Sequence, residues 1–314
     1  MNLSIFRQIL YNINLWIRAA RAPFFTGAIV PVILGAVLAW HDTSSFLWAR
    51  FWLTLIGAVL IHAGTNMAND YFDHRSGCDE ANPNPTPFSG GSRMIQNGLI
   101  TPKRILYAAL ITFALGGGIG LYLNYLSGKN VILILGAIGL FLAFFYTANP
   151  LKIVYRTYGE IAVGIGFGPL MVMGSYFVQA NHLSMREFWV SIPIGILITL
   201  ILYINEFPDY DGDKQVGKKT LVVLLGKRKA VILYHILLLV TYLFIVLLVA
   251  FKALPYICLI ALISLPIAIK AYIVSKNNFS KVYELLPANA STVKLHSSIG
   301  LLLCMGVILD KIFR

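Results

Sequence analysis

Long apolar runs, separated mostly by short polar connections, dominate this sequence. Each has about 20 residues, which is the length that an α-helix needs to cross the hydrocarbon core of a bilayer. We therefore predict an all-α, multi-pass membrane bundle of nine transmembrane helices. Their predicted ranges are 23–41, 51–72, 103–124, 130–148, 158–180, 187–208, 229–251, 254–274 and 292–310.

The composition supports a membrane protein. Hydrophobic residues make up 58% of the chain and charged residues only 12%, whereas soluble domains carry about 25% charged residues. The net charge is +12, which in a soluble protein would suggest a nucleic-acid partner. Here the basic residues lie between the apolar runs, where membrane topology explains them, so we expect no nucleic-acid partner.

The distribution of Lys and Arg predicts the orientation. If alternate connections face the same side, that side and the N-terminal segment hold all but six of the 25 basic residues, and it should be cytoplasmic. This places the N-terminus in the cytoplasm, the C-terminus on the far side, and the protein in the cell (inner or plasma) membrane. The six on the far side are Arg50, Lys129, Arg186, Lys252, Lys311 and Arg314.

The N-terminal segment, from Asn2 to Trp16, does not have the pattern of a cleavable signal. It carries Arg7 and lacks a small-residue cleavage site, and we predict an interfacial helix. The three cysteines form no CxxC pair, and His74 with Cys78 supplies only two possible ligands. A disulfide framework or a zinc site is therefore not expected.

The acidic residues are concentrated in two short stretches. Eight of the 13 lie there, and each stretch follows an apolar run on the predicted cytoplasmic side. Carboxylates near membrane depth are costly and usually functional, although a single one is more often an ordinary interfacial residue. The eight are Asp70, Asp73, Asp79, Glu80, Glu206, Asp209, Asp211 and Asp213.

Helical spacing aligns these side chains. Asn66, Asp70 and Asp73 stand at i, i+4 and i+7 and share one helix face. A second face carries Asn205, Asp209 and Asp213 at i, i+4 and i+8. Hard oxygen ligands on two helices suit Mg²⁺, which keeps waters or substrate phosphates in its coordination shell.

Basic residues follow both stripes and could bind a diphosphate beside Mg²⁺. Topology is the alternative explanation for each of them. The glycine-rich segment 88–93, FSGGSR, is either a flexible loop or a phosphate-binding nest. The candidate cations are Arg75, Arg93, Lys214 and Lys218.

At these residues the sequence resembles the UbiA family of intramembrane prenyltransferases. The motifs that carry the resemblance are NMANDYFD at 66–73 and NEFPDYDGD at 205–213. The stretch from Phe144 to Gln179 and the segment GSRMIQNGLITP look like the 1,4-dihydroxy-2-naphthoate polyprenyltransferase branch. The resemblance implies one transmembrane domain over 1–314, with a central cavity that opens to the cytoplasm and is capped by connections 73–102 and 209–228.

The resemblance also implies the roles of individual residues. It implies Asp70, Asp73, Asp209, Asp213 and Tyr146 as catalytic residues. Tyr146 would contact the diphosphate or shield the allyl cation, and an interfacial aromatic is the alternative. The implied Mg²⁺ ligands are Asn66, Asp70, Asp73, Asp209 and Asp213, with Asn205 and Asp79 as additional members. The implied diphosphate-binding residues are Arg21, Arg75, Arg93, Lys152, Lys214 and Lys218.

One residue departs from the pattern of that branch, which usually has Arg just before the first Asp of the second motif. This chain has Pro208 there, and proline removes a backbone donor and kinks a helix. We therefore expect a kink that could re-aim Asp209, and one cation fewer in the site.

The implied activity is Mg²⁺-dependent transfer of a polyprenyl group from its diphosphate to an aromatic acceptor, with 1,4-dihydroxy-2-naphthoate as the first candidate. The partners are these two substrates and the lipid bilayer. Another aromatic or lipid acceptor stays open. A transporter for a cation or phosphate compound is a further alternative, because acidic residues and broken helices suit one. A non-catalytic membrane scaffold is the third.

Overall fold

The computed structural model describes residues 3–313; Asn2 and Arg314, which entered the predictions above, lie outside them. Every named element in this range is helical. In chain order the α-helices are α1 (Leu3–Ala19), α2 (Thr26–Thr43), α3 (Trp48–Ser76), α4 (Cys78–Ala81), α5 (Pro102–Ser127), α6 (Val131–Phe145), α7 (Gly159–Ile165), α8 (Met171–Ala180), α9 (Met185–Gln215), α10 (Leu221–Leu225), α11 (Lys227–Ala250), α12 (Leu265–Asn278) and α13 (Val282–Phe313).

Eight helical segments of the described chain are long and apolar enough to cross a membrane. They correspond to eight of the predicted spans, and they confirm the all-α, multi-pass membrane architecture. The remaining predicted span, 130–148, contains α6, a shorter apolar helix of 15 residues. The number of nine crossings therefore stays a prediction.

Two of these segments are irregular. The fifth predicted span consists of α7 and α8 joined by a π-helical turn at Gly166–Leu170, which contains Pro169. The eighth begins as a 3-10 helix at Tyr256–Ser264 and continues as α12. Proline and π-turns are common causes of bends in otherwise regular helices.

Helix α9 lies at the centre of the largest apolar core. Leu197, Leu200 and Ile204 are fully buried on it, among side chains of α2, α11 and α13. Small residues allow close helix contacts: a Cβ added at Gly35 of α2 would lie 2.3 Å from the Val172 carbonyl oxygen. By contrast, α5 and α11 expose many large apolar side chains, as lipid-facing helices do.

Helix α9 continues beyond the predicted apolar span. That span ended at 208, and the spacing of Asp209 and Asp213 predicted helical geometry beyond it; α9 runs through Pro208 to Gln215. Pro208 has no N–H for the Ile204 carbonyl, and the Asn289 side chain of α13 donates to that oxygen instead, at 3.1 Å. A buried amide thus replaces the missing helical bond, so Asp209 and Asp213 remain on a helix.

The first and last helices of the described chain, α1 and α13, overlap predicted segments. The predicted N-terminal helix is present as α1, and it exposes Tyr11, Trp16 and Ile17. The last span was predicted to start at 292, but α13 begins at Val282 and contains Pro287. The added turns bring Asn289 to α9.

Candidate active site

A cavity of about 260 Å³ lies between α3, α6, the α7–α8 segment and α9. Its deeper wall is apolar and includes Ile61, Phe167 and Ile198. Its other wall is polar and is formed where α3 and α9 end. The two predicted stripes therefore meet at one cavity, as the sequence analysis required.

A single ammonium group joins the two motifs. The Lys218 Nζ lies 3.5 Å from Asp73 Oδ2 of the first motif and 3.5 Å from Asp213 Oδ1 of the second. Burial alone would lower the pKa of Lys218, but the carboxylates of Asp213 and Asp73 raise it well above its usual value. The carboxylates of both helices are thus close enough to share one cation.

Backbone pairing places Lys218 in this position. Residue 219 donates its backbone N–H to the Tyr155 carbonyl oxygen at 3.3 Å, which ties the segment after α9 to the segment before α7. The Tyr155 hydroxyl then donates to Asp73 Oδ1 at 3.1 Å and contacts the Ser76 hydroxyl at 2.6 Å. Tyr155 therefore orients the first motif from a distant part of the chain.

The second motif is held by residues that follow α3. The Asn82 side chain donates to Asp209 Oδ1 at 2.6 Å, and the Gly90 N–H donates to Asp209 Oδ2 at 3.3 Å. The Cys78 thiol donates to Asp213 Oδ1 at 3.3 Å. Cys78 was predicted to be a bystander, but its thiol orients a carboxylate here.

The segment 88–93 is a loop whose N–H groups bind carboxylates. Besides the Gly90 contact, the Ser92 N–H donates to both oxygens of Asp70, at 3.2 and 3.3 Å. Gly91 has a φ of +73°, and a Cβ there would lie 2.6 Å from Asp79 Oδ2. Only glycine fits, because it accepts this φ and leaves room for the acidic side chains.

Asp79 is buried against this loop. Gln96 donates to its Oδ2 at 3.4 Å, and the Arg93 guanidinium bonds its backbone oxygen at 2.6 Å rather than its carboxylate. Burial raises the pKa of Asp79 to about 8, and the nearby Asp73 and Asp70 carboxylates act in the same direction. The site therefore holds more carboxyl groups than its own cations can neutralise in ionised form.

The two predicted asparagine ligands both line the cavity, but they make protein contacts. Asn66 donates its amide to the Ala20 carbonyl at 2.9 Å. Asn205 accepts a hydrogen bond from Asn289 at 2.8 Å through its side-chain oxygen. This hydrogen bond uses one lone pair of the Asn205 oxygen and fixes α13 against α9.

The structure separates the predicted cations into two groups. Arg21 and Lys218 line the cavity, and the Arg21 guanidinium also contacts the Phe88 carbonyl at 3.3 Å. The other four lie outside the cavity lining: Arg75 and Lys214 are exposed, Arg93 bonds the backbone of Asp79, and Lys152 lies over the Tyr155 ring.

Of the predicted catalytic residues, Asp73, Asp209, Asp213 and Tyr146 line the cavity, whereas Asp70 is buried behind Gly91. Sequence reasoning did not assign roles to Asn82, Tyr155, Glu160, Glu206 or Asn289. Glu206 carried a usable signal, since it lies three residues before Asp209 on the same helix face. The others are brought in by tertiary contacts and had no spacing signal.

The donor set fits a hard cation that shares its shell with a ligand. In the described range, no three His, Cys, Asp or Glu side chains form a preassembled metal-ligand group. Yet Asp73 and Asp213 already hold a cation, the Lys218 ammonium, and Asp79 and Asp209 lie beside them. Mg²⁺ binds through one or two carboxylates plus substrate phosphates, so it does not need a complete protein cage.

Most of the chain matches the profile of one protein family. The profile of the UbiA prenyltransferase family matches residues 28–293. The chain belongs to the UbiA prenyltransferase family. This confirms the resemblance seen in the two aspartate motifs, and it decides between the enzyme and the transporter in favour of the enzyme.

Curated relatives within the UbiA family cover most of the chain. The 1,4-dihydroxy-2-naphthoate octaprenyltransferase of Bacillus subtilis is 31% identical over 94% of this chain and 92% of its own length. The protein of the same name from Mycobacterium tuberculosis is 33% identical over 82% of this chain and 84% of its own length.

Solved structures of UbiA homologues share the architecture. The apo homologue from Aeropyrum pernix aligns with a TM-score of 0.67 at 16% identity, covering 91% of this chain and 97% of its own. A homologue from Archaeoglobus fulgidus bound to GPP and Mg²⁺ aligns with a TM-score of 0.66 at 14% identity, covering 93% and 99%. These matches show a common UbiA fold.

Proposed function

We propose that this protein transfers a polyprenyl group from its diphosphate to 1,4-dihydroxy-2-naphthoate in a Mg²⁺-dependent reaction. The observation that carries the proposal is the convergence of Asp73 and Asp213, from two helices, on one cation at the mouth of an apolar cavity. Such a site has a charged end for a diphosphate and an apolar end for an isoprenoid chain.

The polar end of the cavity would bind the diphosphate. Mg²⁺ would be held by Asp73, Asp79, Asp209 and Asp213, and when bound it supplies charge neutralisation and Lewis-acid polarisation of the diphosphate oxygens. The side chains of Arg21 and Lys218 would stabilise the charge that develops on the leaving group. Asp70 binds the loop 88–93, so its contribution would be to position that loop.

The other end of the cavity would bind the prenyl group. Phe24, Phe88 and Tyr146 line the cavity near the charged end, and their ring faces can stabilise an allyl cation. Further in, Ile61, Leu202 and Met171 provide apolar contacts for the isoprenoid chain. These side chains would also exclude water, which would otherwise capture the cation.

The transfer balances as a substitution at carbon. The allylic C–O bond breaks and its electron pair leaves with the diphosphate, while a ring carbon of the acceptor forms the new C–C bond. That carbon then loses its proton. The acceptor carboxylate leaves as CO₂, and a proton takes its place on the ring. The products are a prenylated naphthohydroquinone, CO₂ and diphosphate.

The acceptor is inferred from the curated relatives, two of which are named for 1,4-dihydroxy-2-naphthoate. The GPP and Mg²⁺ bound to the Archaeoglobus fulgidus homologue support the donor class and the metal. Another aromatic acceptor remains the alternative, because Pro208 replaces the cation expected in the second motif. A panel of aromatic acids tested with one donor distinguishes these acceptors.

The placement in the cell also belongs to this proposal. The chain is a multi-pass membrane protein, and its basic residues favour a plasma-membrane location with a cytoplasmic N-terminus. The cavity would then open to the cytoplasm, where both the diphosphate and the acid are soluble. The segments 73–102 and 209–228 would cap a single domain, consistent with the contacts of Asn82 and Gly90.

Membranes that contain the protein provide the direct test. We expect them to convert polyprenyl diphosphate and 1,4-dihydroxy-2-naphthoate into the decarboxylated prenyl naphthoquinol, with EDTA stopping the reaction and Mg²⁺ restoring it. Membranes without the protein are the control. Absence of product at saturating Mg²⁺, while another aromatic acid is prenylated, would refute the acceptor but keep the reaction class.

A further inference from the structure

Two glutamates and two tyrosines form a second polar cluster beside the charged end of the cavity. We call Tyr146, Glu160, Tyr203 and Glu206 the glutamate–tyrosine cluster. Glu206 lies on α9 about one turn before Asp209, so it is deeper in the bundle than Asp209 by about 4.5 Å along the helix axis. The two carboxyl groups interact with each other and with both tyrosine hydroxyls.

The cluster has hydrogen-bonding capacity that the described protein does not use. Glu206 is 4% exposed and lines the cavity, yet its carboxyl oxygens have no hydrogen-bond partner except the neighbouring Glu160 carboxyl. The hydroxyls of Tyr146 and Tyr203 lack partners. Glu160 accepts the Leu221 N–H at 2.6 Å through one oxygen, and its other oxygen has no partner outside the cluster.

A second glutamate on the same helix shows what a purely structural carboxylate looks like. Glu187 is 2% exposed, and it accepts the Ser184 N–H at 2.7 Å and the Ser184 hydroxyl at 2.9 Å. Buried polar groups without partners are costly and rare in native proteins. Glu206 has no partner outside the cluster, and it therefore indicates a group that is completed by a ligand.

The chemistry of the cluster selects the part of the ligand that binds there. Glu206 offers acceptor oxygens, so its partner must carry hydrogen-bond donors. A diphosphate would bring negative charge against Glu206 and is excluded, and the carboxylate of an aromatic acid would have to point away from this residue. A hydroxylated aromatic ring supplies both the donors and a flat apolar body for the neighbouring Tyr146 ring.

We propose that the glutamate–tyrosine cluster binds the ring hydroxyls of the aromatic acceptor, with Glu206 as the direct contact. This inference rests on the proposed function, and it names the acceptor subsite within that cavity. Tyr146 also lies near Asp73 and Lys218, so a ring held here has its edge beside the place where the diphosphate leaves. Glu160 acts through Glu206 as a positioning residue.

Equilibrium binding to the full-length chain in detergent tests the proposal. The probes are 1,4-dihydroxy-2-naphthoate and its dimethyl ether, with Mg²⁺ and an unreactive thiolodiphosphate analogue of the donor present. The wild type should bind the dihydroxy probe at least tenfold more tightly than the ether. Glu206→Gln should lower the affinity for the dihydroxy probe roughly 10- to 100-fold. The affinities of this variant for the two probes should then differ by less than about threefold.

Binding of the thiolodiphosphate serves as the internal control, and it should stay within twofold of wild type in every variant. Glu284→Gln makes the same substitution at an exposed site in the first turn of α13 and should match the wild type throughout. Glu160→Gln should weaken the acceptor less than Glu206→Gln does, with partial recovery in Glu160→Asp.

If Glu206→Gln fails to bind the donor analogue, the same binding measurements are made on Tyr203→Phe, which removes one hydroxyl from a fully buried ring. A threefold to tenfold loss of acceptor affinity supports the cluster. Wild-type affinity and discrimination in either folded variant would overturn it. A wild-type chain that binds neither probe refutes the proposed acceptor instead, which separates the two failures.

Discussion

Carboxyl groups cluster at both ends of α9, and the two ends pair them differently. At the N-terminal end, Asp42 accepts two contacts from Arg186 at 2.7 and 2.8 Å and one from the Tyr176 hydroxyl. His41 contacts Asp310 at 2.9 Å. We call these residues the paired end. They join α2, α8, α9 and α13.

The C-terminal end of α9 has an excess of carboxyl groups. Five aspartates gather there: Asp70, Asp73, Asp79, Asp209 and Asp213. Among residues 3–313, Lys218 is the single Lys or Arg that forms an ion pair with any of them, and it pairs with Asp73 and Asp213. The remaining contacts come from N–H, hydroxyl, amide and thiol donors. Matched charges stabilise a fold, whereas unmatched charges require an external cation, so the difference indicates which end is functional.

The largest expected effect separates the two ends by activity. Asp209→Ala should lower kcat/KM for prenyl transfer by about 10³-fold, because it removes a carboxylate from the charged end of the cavity. Asp42→Asn, at the paired end, should keep at least half of the activity per folded molecule. Steady-state kinetics on purified variants measures both. Equal losses in the two variants would erase the distinction.

Metal-dependent stability gives the next contrast. At a concentration 100 times the dissociation constant, Mg²⁺ should stabilise the wild type by about 2.7 kcal/mol. The double variant Asp79→Asn/Asp209→Asn should lose this gain while Lys218 keeps its partners, and without metal it should be no less stable than wild type. Thermal unfolding with Mg²⁺ or EDTA provides the measurement. A full Mg²⁺ effect in the variant would contradict the assignment.

Asp42→Asn should instead lower the free energy of unfolding by about 0.5–1.5 kcal/mol, equally with and without Mg²⁺, because it weakens the contacts of Arg186 and Tyr176. The matched control is Asp211→Asn, which removes an exposed carboxylate 3.7 Å from Lys227 and should change stability by less than about 0.5 kcal/mol. Unfolding curves for the two variants settle the point, and an Asp42→Asn effect that depends on Mg²⁺ would speak against it.

The pH dependence of metal binding has a defined sign. The pKa of Asp79 is raised to about 8, so its carboxyl is mostly protonated at neutral pH and Mg²⁺ must displace the proton. Affinity for Mg²⁺ should rise by up to about tenfold per pH unit below pH 8 and level off above it. Calorimetry in buffers of different ionisation enthalpy measures the released proton. Asp79→Asn should flatten this dependence.

The smallest effect concerns the cations that the structure places outside the cavity. Arg75→Ala and Lys214→Ala should each change kcat/KM by less than about twofold, since both side chains are exposed and any interaction with the diphosphate is screened by solvent. Lys218→Met is the comparison variant, and it should reduce the rate far more. A tenfold loss of kcat/KM in either exposed variant would show that its side chain takes part in the active site.

The sequence predicted the fold more completely than the site. Hydropathy located every apolar helix, because the bilayer requires a minimum apolar length. It did not show what supports α9 past Pro208, since the missing helical bond is replaced by Asn289, which is 81 residues away from Pro208 in the chain. Helical spacing aligned the aspartates, but spacing along one helix says nothing about partners on another.

What the sequence determined by itself is therefore local: apolar length, charge asymmetry, and the helix faces that carry Asp73 and Asp213. The tertiary structure decided which cations reach those faces, that loop 88–93 binds carboxylates, and that Glu206 has no partner except the Glu160 carboxyl. The physical reason is that burial and hydrogen-bond satisfaction depend on contacts between distant segments, whereas periodicity depends only on neighbours within one helix.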